Sequence, residues 1–103
     1  MSGVAPDATL FSYKVGGCRG GIGDDVIIAA ILRAQQDGAD IITLSLGSAN
    51  GWPSSALDVV ASRVVDQGIV VTVSSGNEGA AGPFFASTPA SGKGVIAVGS
   101  VEK

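Results

Sequence analysis

The residues best placed to do chemistry lie in the run Val70-Val71-Thr72-Val73-Ser74-Ser75-Gly76-Asn77-Glu78. Its first four residues are β-branched and read as a buried strand. The run then breaks into small residues and ends on Asn77, held between Gly76 and Gly79. A strand that stops there sets a side-chain amide at the carboxyl edge of a sheet, where open α/β folds take their ligands. Gly-Asn alone is equally a turn. A second run, Ile41-Ile42-Thr43-Leu44, also finishes in small residues, Ser45-Leu46-Gly47. Two such ends on one rim make a substrate groove with an amide donor, and Glu78 sits at the same edge as either a site residue or a solvated loop charge.

Other constellations carry less. Gly16 to Gly23 holds five glycines in eight residues, but a dinucleotide fingerprint would need a glycine where Val26 stands. Asp24 and Asp25 would also set negative charge at the following helix start, against a phosphate. As an acid/base or metal pair these aspartates compete with a simpler role, the cap and first turn of that helix. Asp37, Asp40, Asp58 and Asp66 fall at helix or strand ends and read as solvated. Cys18 is the one cysteine and there is no histidine, which removes internal disulfides, His-dependent metal sites and self-contained Ser-His or Cys-His machinery.

The 103 residues suffice for one domain, and 46% hydrophobic against 15% charged content excludes disorder. A net charge of −3 with no Lys/Arg cluster argues against nucleic acid and anionic membrane as partners. No apolar run approaches the length of a membrane span, and the N-terminus does not read as a signal peptide.

Positioning the two rims requires alternating elements. Leu10–Val15 reads as a strand, 25–36 as a helix with a wide apolar stripe, and Asp37-Gly38 as its stop. Residues 41–46 form the next strand. A helix follows from Pro53 or Ser54, burying Leu57, Val60, Ala61, Val64 and Val65 and ending at Gly68. After the strand at 70, residues 79–93 form a loop, and Gly94–Ser100 is a last strand. Gly38 and Gly68 lie 30 residues apart, each closing a helix and leading to a strand that ends in Ser-x-Gly. This is an α/β chain: a parallel sheet with helices on its faces and both Ser-x-Gly ends on one rim.

Six motifs in order resemble the subtilisin-like serine proteases: Gly3-Val4-Ala5-Pro6 with Ala8, the strand ending Lys14-Val15, Ser45-Leu46-Gly47, Ser75-Gly76-Asn77, Thr88-Pro89-Ala90, and Val95-Ile96-Ala97-Val98-Gly99. The resemblance spans nearly the whole chain and implies a partial subtilisin-like three-layer α/β/α domain, with residues 1–103 as the central slice of a peptidase domain. It implies that Asn77 is the oxyanion-hole asparagine. Ser45, Leu46 and Gly47 would pair with the acyl side of an extended substrate, and Gly20, Gly21 and Ile22 with its other edge. Ser75 and Gly76 would wall the first specificity pocket, with Glu78 tuning its floor.

Two expectations follow from what does not match. The family's nucleophile motif and its histidine have no counterpart here, and its aspartate ends a strand upstream of this slice. The residues alone are therefore expected to be inactive toward peptides. In the family an additional strand, supplied from the N-terminal part, lies between the first two strands seen here. Its slot is expected either to close directly or to drive self-association through exposed sheet edges. The resemblance implies peptide or protein substrates, the remaining parts of the peptidase domain as partners, no cofactor (calcium possible in the parent) and an extracellular location. The competing reading is a non-catalytic α/β peptide-binding or interaction module, a pseudoprotease.

Overall fold

Helix α1, Asp24–Gln36, buries Ile27, Ile31 and Ala34, and helix α2, Ala56–Asp66, buries Leu57, Ala61 and Val64. Both follow i, i+4, i+7, one apolar stripe repeated at an offset of thirty residues. The repeat extends to how each helix stops. Gly38 (φ 81°) and Gly68 (φ 91°) adopt the left-handed conformation that suits glycine. Around them, Gly38 N–H donates to Gln35 O and Ala39 N–H to Ala34 O, while Gly68 N–H donates to Val65 O and Ile69 N–H to Val64 O. This paired pattern satisfies the carbonyls of the last turn and redirects the chain into a strand.

The computed structural model describes residues 2–19, 21–46, 48–49, 56–77 and 87–101. Within them the strands are β1 (Ile41–Leu44), β2 (Ser48–Ala49), β3 (Val70–Ser74), β4 (Ser87–Thr88) and β5 (Ile96–Val98). β1, β3 and β5 form one sheet in that order, both pairs parallel, with Ile42 opposite Val71, Leu44 opposite Val73 and Ser74 opposite Val98. β2 and β4 make a separate antiparallel pair, Ser48 opposite Thr88. The parallel βαβ arrangement expected of an α/β chain is therefore present.

Because Ile42 and Val71 are register partners, they share a face with Val73, and all three are buried against Ile27, Ile31, Ala34, Leu57 and Val64. Each of these larger side chains contributes about 1.5–3 kcal/mol by leaving water. The two helices lie together on this face. On the opposite face Ile96 is 51% and Val98 54% exposed.

Three local expectations are corrected. Helix α1 begins one residue early: Gly23, extended at φ −76° and ψ 141°, is its N-cap without a side-chain cap bond. Asp24 and Asp25 thus both belong to the first turn, where their charge complements the helix dipole. The strands are also shorter than the apolar runs that announce them, four residues for 41–46 and three for 94–100. The start of the second helix at Pro53 or Ser54 lies outside the described residues.

The third correction concerns Leu10–Val15, which is not a strand. A strand exists only when its backbone groups pair, and among the described residues β1 pairs with β3 alone. Residues 10–15 instead stand off from β1 across an apolar groove of about 410 Å³. Leu10, Phe11, Tyr13 and Val15 form one wall, Ile41, Leu44 and Leu46 the other, and Ile27, Ile31 and Ala34 the floor. The expected direct closure of the slot has not occurred.

Candidate functional site

The site is assembled at the carboxyl ends of β1 and β3. Register places Leu44 beside Val73, so Ser45-Leu46 and Ser74-Ser75 leave the sheet together on one rim. β5 joins them there, since its Val98 pairs with Ser74. The shared rim read from the two Ser-x-Gly endings is thus present in the fold.

Ser75 is held to β5 by two hydrogen bonds. Its N–H donates to Val98 O at 2.9 Å and its hydroxyl donates to the same carbonyl at 3.1 Å. The close approach leaves a Cβ at Gly99 only 3.2 Å from the Ser75 hydroxyl oxygen. Gly76 follows with φ 96°, a conformation that turns the chain sharply off the strand axis. Asn77 comes next and is exposed. Asn77 thus follows directly on a strand end that two hydrogen bonds hold to β5.

Across the rim, Ser45 is exposed and Leu46 half-buried, its side chain reaching the groove beside β1. The opposing segment is less completely described: Gly21 is exposed with open space around it, and Ile22 is 42% exposed. Gly20, Gly47 and Glu78 lie outside the described residues. Among the described residues no three His, Cys, Asp or Glu side chains gather as a metal site would require. Cys18 is an exposed free thiol.

Two aspartates make contacts that the sequence did not announce. Asp37, exposed at its helix end, accepts a 2.6 Å hydrogen bond from the Tyr13 hydroxyl, and Arg33 Nε lies 3.1 Å from its other oxygen. The Tyr13 bond, aided by Arg33, holds the Asp37 carboxyl below the usual carboxylate range, and the same bond raises the Tyr13 phenol. This contact ties the 10–15 segment to the end of α1. Asp58, expected solvated, is fully buried. Its carboxylate accepts from the Ser91 hydroxyl, which lies 3.2 Å from each oxygen. A signal was available in the spacing: Asp58 stands three residues before Ala61, inside the arc that α2 buries.

The subtilase family model matches residues 1–103. The minor extracellular protease Vpr of Bacillus subtilis is 37% identical over 102 residues, 99% of this chain and 12% of that protein. Subtilisin DY of Bacillus licheniformis is 38% identical over 97% of this chain and 36% of its own length. Subtilisin E of Bacillus subtilis is 41% identical over 96% of this chain and 26% of its own length. The chain thus spans between about an eighth and about a third of these relatives. A family match that runs from the first residue to the last, over a parallel α/β sheet whose strand ends meet on one rim, places the chain in the subtilase family of serine peptidases.

Proposed function

We propose that residues 1–103 are the central slice of a secreted subtilisin-like serine endopeptidase domain, and that they supply its oxyanion-hole donor and substrate-pairing backbone. The observation that carries this reading is Asn77, exposed immediately beyond a strand end that Val98 O holds through two Ser75 hydrogen bonds. In peptide hydrolysis the attacked carbonyl oxygen gains charge only as the tetrahedral intermediate forms. A pre-aimed amide stabilises that charge without stabilising the ground state equally, so it accelerates the chemical step. Ser45, Leu46 and Gly47 on one side and Gly20, Gly21 and Ile22 on the other would hold an extended peptide as a middle strand, affinity coming from main-chain pairing. Ser75 and Gly76 would wall the first pocket and Glu78 tune it.

Nucleophile and general base would come from other parts of the domain, because these residues include no histidine. The slice alone is accordingly inactive. The groove between residues 10–15 and β1 is the seat of one further strand from the rest of that domain. It is apolar, it runs along the edge of β1 that no described strand pairs, and it is bounded by residues 10–15, which join no ladder. A strand laid there would sit about 4.8 Å from β1 and bond to it. The relatives are several times longer than this chain, and so have residues to furnish it.

The deciding experiment is Asn77→Ala in the complete protease. The expected loss is about 10²–10³ in kcat with KM little changed, the size of effect established for subtilisin's own oxyanion-hole asparagine. An unchanged kcat removes Asn77 from the reaction. A complete protein that cleaves no peptide and ignores a fluorophosphonate probe returns the chain to the non-catalytic binding module.

A further inference from the structure

We propose that Asp58 is a positioning residue that holds both walls of the substrate rim, acting through the buried turn at Pro89–Gly92. The inference rests on the peptidase reading for its catalytic consequence, and on geometry alone for the anchoring itself.

Asp58 is 0% exposed in the first turn of α2. A buried carboxylate is expensive and is tolerated where donors and a helix N-terminus compensate it. Ser91 supplies one such donor, at 3.2 Å from each carboxylate oxygen. The backbone of Asp58 is engaged as well, its carbonyl accepting from the Ser62 hydroxyl at 2.8 Å. That carbonyl also lies 3.2 Å from where a Cβ on Gly92 would sit, so the turn packs directly on it. The turn closes on itself through Gly92 N–H to Pro89 O at 3.0 Å and Val95 N–H to Gly92 O at 3.2 Å. Pro89 and Ala90 are buried within it.

What leaves this turn in each direction reaches the candidate site. Backwards, Pro89 follows β4 directly, and β4 pairs with β2, which begins three residues after Ser45. Forwards, Val95 leads into β5, whose Val98 carbonyl takes both Ser75 hydrogen bonds. One wall is thus reached through the antiparallel β2–β4 pair and the other through the parallel β3–β5 pair. Both paths start at the joint that Asp58 pins. An apolar residue at 58 would fill the space but would remove the carboxylate from the Ser91 hydroxyl, loosening the turn's hold on α2.

The test uses the complete protease carrying Asp58→Ala, Asp58→Asn and Ser91→Ala, with active sites counted by burst titration so that unfolded enzyme is not scored as slow enzyme. A displacement of about 1 Å at the rim predicts a kcat/KM about 10²-fold lower for Asp58→Ala on extended peptides. Asp58→Asn retains a hydrogen-bond acceptor and should recover to within about threefold of the parent, while Ser91→Ala should lose about tenfold, since only one donor is removed. Amide exchange should quicken at Ser75 and in segments 48–49 and 87–92, with the β1–β3 ladder unchanged. If Asp58→Ala does not fold, Ser91→Ala decides: unaltered titrated kinetics and unaltered exchange at the rim overturn the proposal. Faster rim exchange with unchanged titrated kinetics also overturns it, because Asp58 would then stabilise the turn without positioning the site. Should Asn77→Ala prove silent, the oxyanion assignment falls while rim exchange in the Asp58 and Ser91 variants still decides the anchoring.

Discussion

β1 and β5 both run parallel to β3, yet the two sides of that central strand are finished in different ways. On the β5 side the ladder continues to the rim, Ser75 binds Val98 O twice, and the turn feeding β5 is buried against α2. On the far side of β1 there is a groove, and beyond it a segment that leans on the core through Tyr13 and Val15 without pairing. The difference is one of connectivity. Each βα unit contiguous in this chain brings its own next strand and closes. A ladder position whose strand is not the next element stays open, however apolar its walls, because apolar contact does not satisfy backbone N–H and C=O groups.

The strongest challenge to this contrast compares two hydrophobic truncations. Ile31 is 1% exposed and floors both core and groove, while Phe11 stands on the groove's outer wall at 60% exposure. Ile31→Ala should cost about 2–5 kcal/mol in denaturant unfolding, with a cavity left behind. Phe11→Ala should stay within about 0.5 kcal/mol in the 103-residue chain. On the proposed function a strand fills the groove in the complete protease, and Phe11→Ala should then become clearly destabilising there. Equal costs for Phe11→Ala in both settings would mean that nothing occupies the groove.

A smaller effect sharpens the same point at the level of single amides. Amides of β1 that face the groove should exchange freely in the 103-residue chain and at least about tenfold more slowly in the complete protease. Those directed at β3 should be protected in both. Sedimentation separates the alternatives: groove-facing protection in the isolated chain together with a dimer would make a second copy the occupant, as exposed edges invite.

The same contrast explains what the sequence disclosed. The thirty-residue repeat was legible because every part of it is local. Apolar residues at 27, 31 and 34 and again at 57, 61 and 64 define two helix faces, and Gly38 and Gly68 mark both stops. The shared rim of Ser45 and Ser75 followed from that repeat, since two parallel strands after matching helices end together. Leu10–Val15 was misread for the complementary reason. Its composition suits a strand, but pairing is a property of the neighbour, and no local pattern reports whether the neighbour is there. Asp58 escaped because its partner, Ser91, lies 33 residues away in a stretch without periodicity. A buried polar contact between distant segments leaves little trace in sequence beyond a charge on the wrong face of a helix.

The smallest expected effect tests what keeps the unpaired segment in place. Tyr13 donates to Asp37, a polar tether from the 10–15 segment to the end of α1, and Arg33 braces Asp37 from within the helix. The Asp37 carboxyl is lowered from 3.8 in the folded chain, so its contribution is present above that value and is lost as pH falls through the lowered pKa. The Tyr13 phenol is raised from 10.0, so its contribution is present below that value and is lost as pH rises through the raised pKa. Protection of the amides across residues 10–15, measured against the intrinsic exchange rate at each pH, should therefore be greatest on a plateau between these limits and fall beyond each. Tyr13→Phe removes the donor and should level the profile on both sides while leaving exchange in β3 unaffected. Asp37 is exposed, and Tyr13→Phe keeps the ring that packs on the core, so global stability should barely move. If the Tyr13→Phe chain keeps a slow 10–15 segment across the plateau, apolar contact with the groove floor alone holds it. The open side of β1 would then be closer in kind to the β5 side than their different hydrogen bonding implies.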